Sequence, residues 1–117
     1  NNLKKIVKIV HSEVRKKMQL FLKKNYRAKI IILDIPLLLE NNINDKNDIL
    51  VFVDSKKSEI LKRLKKRKNF NLKIFQMFKD IQLSSNYKKK KSHFIIKNDF
   101  KKKSVKIGIN NVLERIT

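Results

Sequence analysis

The chain has no cysteine, and glycine and proline occur once each, as Gly108 and Pro36. The absence of cysteine excludes a disulfide framework and any thiolate metal site. No apolar run approaches the roughly 20 residues that a membrane-spanning helix needs. The chain does not open on a charged segment followed by an apolar one, as a signal peptide does. We therefore expect a cytoplasmic protein. A length of 117 residues suits one modest domain or part of a larger one.

Acidic residues are scarce as well, with 10 Asp and Glu against 31 Lys and Arg and a net charge of +21. Such a charge favours a polyanionic partner, namely RNA, DNA or a phosphorylated ligand. The alternative is compositional bias, since lysine, asparagine and isoleucine have A/T-rich codons and the lysines are spread along the whole chain. We favour bias and expect nucleic acid to bind only non-specifically. Against this background an arginine is more often needed for its rigid, bidentate guanidinium.

The apolar pattern centres on a strand predicted at residues 29–34, an unbroken apolar run that ends before Pro36. A run without helical or alternating period is typical of a strand buried on both faces of a parallel sheet. Proline cannot continue the ladder. Because open α/β sheets bind their ligands beyond the carboxyl ends of the strands, residues 36–40 are the first place to look for function. Two more strands are predicted at 48–54 and 93–96.

The spacing of the apolar residues predicts helices between these strands. Residues 2–24 are predicted to be helical with a break near His11, because the adjacent Ser12 is a candidate N-cap. Further helices are predicted from Ser55 to about Arg67, over 72–81 and over 101–116. The order of elements indicates an α/β protein. Three strands are too few for a free-standing doubly wound sheet, so we expect that something central is absent.

Several segments, in order and at fitting intervals, resemble the dephospho-CoA kinase family. Residues 34–40 read Asp-Ile-Pro-Leu-Leu-Leu-Glu, and that family has a strand ending in Pro-Leu-Leu-hydrophobic-Glu. His11 and Ser12 resemble its His-Pro segment, with serine in place of proline. Residues 61–67 resemble its Arg-Leu-x-x-Arg at the start of the lid, and residues 82–98 resemble its Gln-to-Lys helix and closing strand. The departures from the family pattern are Phe78, Ser92, His93 and Phe100.

The resemblance implies a three-layer parallel sheet of P-loop kinase type, of which this chain is a partial domain with a helical lid segment. It divides the single domain into a helical acceptor-side segment (1–27), a core (28–62 and 92–117) and a lid (63–91). It implies transfer of the γ-phosphoryl group of ATP to the 3′-hydroxyl of dephospho-CoA, giving coenzyme A. With Gly108 as its only glycine, the chain lacks the family's loop Gly-x-x-x-x-Gly-Lys-[Ser/Thr]. We therefore expect a C-terminal portion that is inactive alone, with Mg-ATP held mainly by the missing part; whether that part is absent biologically or from a partial gene stays open.

Phosphoryl transfer needs cations around the transferred group. By resemblance, Arg63 and Arg67 are the catalytic cations: four residues apart on one predicted helix face, they would clamp the phosphates of ATP. A solvated helix face is the alternative. The full set for ATP and the lid is Arg63, Arg67, Lys88 and Asn98, and the acceptor-binding set is His11, Arg15, Pro36, Leu37, Leu38 and Glu40. Ordinary surface, packing and turn roles are the alternatives for these residues. No carboxylates have zinc or calcium spacing, so no resident metal is expected.

Two other functions stay open at this point. Phe70, Phe75, Phe78 and Tyr87 lie among lysines, as in a module that binds single-stranded nucleic acid. Their helical spacing, however, is more typical of a core. A different nucleotide or nucleoside kinase of the same fold is the second alternative. The sequence gives no indication of the oligomeric state.

Overall fold

The computed structural model describes residues 2–117, which form an α/β arrangement of five helices and two strands. The helices are α1 (Asn2–Lys24), α2 (Lys57–Lys65), α3 (Leu72–Ile81), α4 (Ser85–Lys91) and α5 (Lys102–Ile116); the strands are β1 (Val51–Asp54) and β2 (Phe94–Lys97). The chain divides into two compact units, Asn1–Asp45 and Lys46–Thr117. None of the described helices is long and apolar enough to cross a membrane.

Helix α1 runs without interruption, so the predicted break near His11 is wrong. Ser12 is exposed within the helix and caps nothing. The sheltered face repeats every three or four residues and contains Leu3, Val7, His11, Val14, Met18 and Leu22. His11 occupies an inward position of this stripe, so the helical period continues through it.

Residues 29–34 belong to no helix or sheet, so the buried strand predicted there is wrong. Ile31 and Leu33 are half-buried, whereas Ile30 and Ile32 are 41% and 80% exposed. A strand forms only where its backbone can pair with a neighbouring strand along an edge, so an apolar run is not sufficient. In the described part of the chain, β1 and β2 pair only with each other.

Strands β1 and β2 lie parallel, with Val51 opposite Phe94 and Val53 opposite Ile96. Strand β1 occupies only the last four residues of the predicted run, and β2 extends one residue further than predicted. The sheet is not covered on both faces, since Val53 is 57% exposed. The fold is therefore α/β with a small parallel sheet of two strands among the described residues.

Helix α5 packs against β2 at Gly108, where an added Cβ would lie 3.2 Å from Ile96 Cγ2. Glycine costs about 1 kcal/mol of helix propensity relative to alanine. The close approach gives a packing reason for a residue that the sequence pattern alone makes unfavourable. The helix predicted from Ser55 begins later, because α2 starts at Lys57, after Lys56, and has no side-chain cap.

Candidate functional site

The carboxyl ends of β1 and β2 are joined through Asn98. Its backbone N–H donates to the Asp54 carbonyl oxygen over 2.7 Å, and Ser55 Oγ donates to the Asn98 carbonyl oxygen over 3.0 Å. The side-chain Oδ1 of Asn98 accepts the backbone N–H of Phe100 at 2.9 Å. Asn98 thus holds side by side the two segments that leave the sheet.

These segments surround a cavity of about 520 Å³, here named the strand-end pocket. Its lining consists of Asp54, Ser55, Lys56, Glu59, Lys97, Asn98, Asp99 and Phe100. Its volume lies within the range of small-molecule sites, and its position is where open parallel sheets bind ligands. A phenyl ring beside amide, hydroxyl and charged groups suits a flat, polar-edged ligand.

The wall of the strand-end pocket at Phe100 involves an arginine. Phe100 has φ of 61°, in the left-handed region. The Arg63 guanidinium lies over its ring, 3.7 Å from the ring centroid. Such a stack is a cation–π interaction. Sequence reasoning noted Phe100 only as a departure from the family pattern and missed this contact.

Arg63 and Arg67 do not share a helix face, so that part of the prediction is wrong. Helix α2 ends at Lys65, and Arg67 lies in the turn that follows. In this turn the Arg67 N–H donates to the Leu64 carbonyl over 3.0 Å, and the Arg67 carbonyl accepts from Phe70 N–H over 3.1 Å. The two arginines therefore belong to different local structures, and their predicted functional roles stay predictions.

The two aspartates of the strand-end pocket are both engaged. Asp54 Oδ2 pairs with Lys89 Nζ at 3.2 Å. Asp99 Oδ1 accepts the Lys101 N–H over 2.9 Å. This bond, assisted by the Ser104 side chain, lowers the pKa of Asp99 from its usual 3.8. Across residues 2–117 no three His, Asp or Glu side chains stand close enough to hold a metal ion.

Residues at the opposite end of the sheet explain two departures from the family pattern. Ser92 closes α4, because its N–H and its Oγ donate to the Lys88 carbonyl over 3.1 and 2.8 Å. His93 Nδ1 accepts the Leu50 N–H over 2.9 Å, and the His93 N–H donates to the Leu50 carbonyl over 2.8 Å. His93 thus extends the pairing of β1 and β2. Lys88 itself is half-buried on α4, outside the lining of the strand-end pocket.

The predicted acceptor-binding residues all lie in the first unit, where α1 contacts the loop 36–43. The Arg15 guanidinium donates to the Asn41 carbonyl and, over 3.2 Å, to the Asn42 carbonyl. Within the same unit His11 is only 8% exposed, and its Nδ1 has no hydrogen-bond partner among the described residues. Arg15 is therefore hydrogen-bonded to the loop that contains the predicted acceptor-binding residues 36–40.

The loop itself is tightly turned. Leu37 has φ of 55°, and its carbonyl accepts the Asn41 N–H over 3.1 Å. Pro36 is exposed, while Leu37, Leu38 and Glu40 are half-buried. Beyond Asn41 and Asn42 lies Ile43, the one buried hydrophobic side chain of the described residues, at 4% exposure. Residues 36–40 form a turn, where the sequence favoured a loop or a short helix.

Comparison with known protein families identifies the family of this chain. The family model for dephospho-CoA kinase matches residues 1–104. The chain belongs to the dephospho-CoA kinase family. The matched residues include both the loop 36–43 and the strand-end pocket, and the match confirms the resemblance found in the sequence.

Proteins named dephospho-CoA kinase in several bacteria are similar to this chain. The dephospho-CoA kinase of Wolbachia pipientis wMel is 31% identical over 117 residues, covering 98% of this chain and 60% of that protein. The dephospho-CoA kinase of Prochlorococcus marinus (strain NATL2A) is 34% identical over 90 residues, covering 77% of this chain and 42% of that protein. The dephospho-CoA kinase of Wolbachia sp. subsp. Brugia malayi (strain TRS) is 26% identical over 118 residues, covering 99% of this chain and 60% of that protein. The chain thus spans about 60% of the length of these two Wolbachia relatives.

Proposed function

We propose that this chain contributes the adenine side and the acceptor side of a dephospho-CoA kinase. The observation that carries the proposal is the extent of the family match, residues 1–104, which includes the strand-end pocket. In this reading the strand-end pocket receives the adenosine of ATP, with Asn98 at its base. The first unit, with His11, Arg15, Pro36, Leu37, Leu38 and Glu40, faces dephospho-CoA. We also propose a cytoplasmic location and, for the kinase domain, a three-layer parallel sheet of P-loop kinase type.

The proposed reaction is a phosphoryl transfer. The oxygen of the acceptor's 3′-hydroxyl forms a bond to the γ-phosphorus of ATP, the bond between that phosphorus and the β–γ bridging oxygen breaks, and ADP leaves. The hydroxyl proton passes to a base that resemblance assigns outside this chain. Catalysis of this kind depends on positioning and on positive charge around the transferred group. Arg67 and Lys88 are the proposed lid cations, and Arg63 is the proposed link between lid and pocket.

Among the described residues, the two aspartates at the strand ends are poorly suited to a resident magnesium site. Mg²⁺ takes oxygen ligands, usually one or two carboxylates with substrate phosphates and water. The Asp54 carboxylate at the strand end is paired with Lys89 at 3.2 Å, and Asp99 is bonded to the start of α5. Any metal required by the reaction therefore depends on groups outside these two carboxylates.

Titration of the ¹⁵N-labelled 117-residue chain with ATP and, separately, with dephospho-CoA tests the proposal. We expect ATP to shift the amide signals of Asn98 and Phe100, and dephospho-CoA to shift those of Arg15, Leu37 and Glu40. Inorganic triphosphate is the matched control, because it has the charge of ATP without the adenosine. Formation of coenzyme A by the chain alone is expected to be undetectable, since its single glycine excludes a glycine-rich phosphate loop.

The charge control decides between recognition and simple attraction. A net charge of +21 attracts any polyphosphate. If triphosphate and ATP shift the same signals equally, and these are lysine-rich segments rather than Asn98 and Phe100, the proposed nucleotide site is wrong. Shifts by dephospho-CoA confined to the strand-end pocket would contradict the acceptor assignment alone.

A further inference from the structure

Phe100 adopts a backbone conformation that suits glycine better than phenylalanine. Its φ of 61° lies in the left-handed region, where a Cβ is unfavourable and glycine is not. The conformation is held by the bond from Phe100 N–H to Asn98 Oδ1 at 2.9 Å. Unfavourable backbone conformations that persist in a structure are concentrated at functional sites. The side chain at this position therefore calls for a functional explanation.

Burial does not supply that explanation. The Phe100 residue is 37% exposed, so its ring is not a core element. The ring lines the strand-end pocket, and a cation covers it, since the Arg63 guanidinium lies 3.7 Å from its centroid. Arg63 lies near the end of α2 and is otherwise exposed. A long arginine side chain on an exposed helix end samples many rotamers unless a contact restrains it.

We propose that Phe100 is a positioning residue, whose ring holds the Arg63 guanidinium beside the strand-end pocket in the place where it meets a bound nucleotide. The inference rests on the proposed function, because it assumes that the pocket receives ATP. It separates the two lid arginines: Arg63 acts as one unit with Phe100, whereas Arg67, in the turn beyond α2, acts independently of that ring. Phe100, a departure from the family pattern, thus restrains an arginine side chain that would otherwise be flexible.

A double-mutant cycle on the full chain tests this coupling. ATP affinity is measured for the wild type, Phe100→Leu, Arg63→Met and the double variant. A cation–π contact at an exposed site corresponds to about a two- to fivefold effect on an equilibrium constant. We expect each single variant to weaken ATP binding by about that factor, and the double variant to bind no more weakly than either single one. Phe100→Tyr, which keeps the ring, is expected to bind as the wild type does. In the matched control, adding Phe100→Leu to Arg67→Met gives additive losses.

A second readout reports on the stack without any ligand. The Nε–H resonance of Arg63 is expected at an upfield position caused by the ring current of Phe100. It should return to the ordinary arginine position in Phe100→Leu and stay upfield in Phe100→Tyr. A purely structural role of Phe100 would lower the unfolding midpoint and leave ATP affinity in the folded chain unchanged.

The outcomes separate this inference from the proposed function. ATP binding that is unchanged in Phe100→Leu, or losses from Phe100→Leu and Arg63→Met that simply add, would overturn the positioning role while leaving the nucleotide site intact. A wild-type chain that binds no ATP would overturn the proposed nucleotide site and, with it, the nucleotide part of this inference. An ordinary Arg63 Nε–H position in the wild type would overturn the stack itself.

Discussion

At the scale of the residue, Asp99 connects the loop after β2 to the start of α5. Its Oδ1 accepts the Lys101 N–H over 2.9 Å, and this bond lowers the pKa of the carboxyl group below the usual 3.8. Because the folded state binds this proton less readily than the unfolded state, the carboxylate stabilises the fold at pH values above 3.8. The contribution is lost as the pH falls through the lowered pKa of the folded state.

We expect Asp99→Ala to lower the urea unfolding midpoint near neutral pH and to have a progressively smaller effect as the pH falls below 3.8, because the wild-type carboxyl then becomes protonated. The measurement is urea unfolding followed by circular dichroism, at neutral pH and at a series of acidic pH values. Glu114→Ala, which removes an exposed carboxylate on α5, is the matched control. An Asp99→Ala effect that grows on acidification would contradict the assigned pKa direction.

Individual residues differ in how far the sequence could predict them. The turn at Asn98 could be predicted, because asparagine commonly forms turns. The bonds of Asn98 to Asp54 and Phe100 show how it turns the chain at the end of β2. The contact between Arg63 and Phe100 was not identifiable, since it joins a helix to a distant loop through tertiary folding. Arg63 and Arg67 were misplaced on one face because helix ends are the least certain part of a periodic pattern.

At the scale of the element, helices followed from the sequence more closely than strands did. Helix α3 has the predicted bounds because its bonds are local and its apolar residues recur at helical spacing. The apolar spacing did not predict helix α4, because its lysine-rich segment has no apolar period; only the resemblance to a Gln-to-Lys helix indicated one. The helix begins after a Ser84 cap, whose Oγ accepts from Tyr87 N–H over 3.2 Å. Residues 29–34 show the converse: an apolar run alone does not make a strand without a neighbour to pair with.

The start of α3 offers a test of local helix formation. Asn71 Oδ1 accepts the N–H groups of Lys73 and Ile74 over 2.9 and 3.2 Å. Loss of such a cap costs about 1 kcal/mol. We therefore expect Asn71→Ala to destabilise α3 by about that amount and to speed amide hydrogen exchange at Lys73 and Ile74. Asn69→Ala, an exposed asparagine two residues earlier, is the matched control. Equal exchange in both variants would show that the cap is not formed in solution.

At the scale of the whole molecule, the α/β class was predictable, but the extent of the sheet was not. Each unit carries apolar side chains that the described residues leave exposed, such as Ile9 at 68% in the first and Leu72 at 62% in the second. The sequence pattern marks these positions as apolar without saying what covers them. The curated Wolbachia relatives are longer than this chain, which spans about 60% of their length.

The charge of the whole molecule leads to a prediction about nucleic acid. The aromatic residues that suggested stacking on bases are partly occupied: Phe70 and Phe75 pack against each other with centroids 6.1 Å apart, and Lys91 Nζ lies 5.7 Å from the Tyr87 ring. With 31 cations spread along the chain, binding to a single-stranded oligonucleotide is expected to be electrostatic and insensitive to sequence. Its affinity should fall about a thousandfold or more between about 50 and 200 mM salt.

Fluorescence anisotropy with a labelled oligothymidine and a mixed-sequence oligonucleotide measures this salt dependence. Because phosphate contacts carry no sequence information, both oligonucleotides should bind equally and lose affinity in parallel. Phe78→Ala and Tyr87→Ala should leave the binding unchanged, because we expect no base to stack on these side chains. Stacking would contribute about 1–3 kcal/mol per base, so its loss would be measurable. Tight binding that survives about 200 mM salt and is lost in these variants would favour a nucleic-acid module. Under that outcome, the positive charge would serve a dedicated partner and would not merely reflect the composition of the chain.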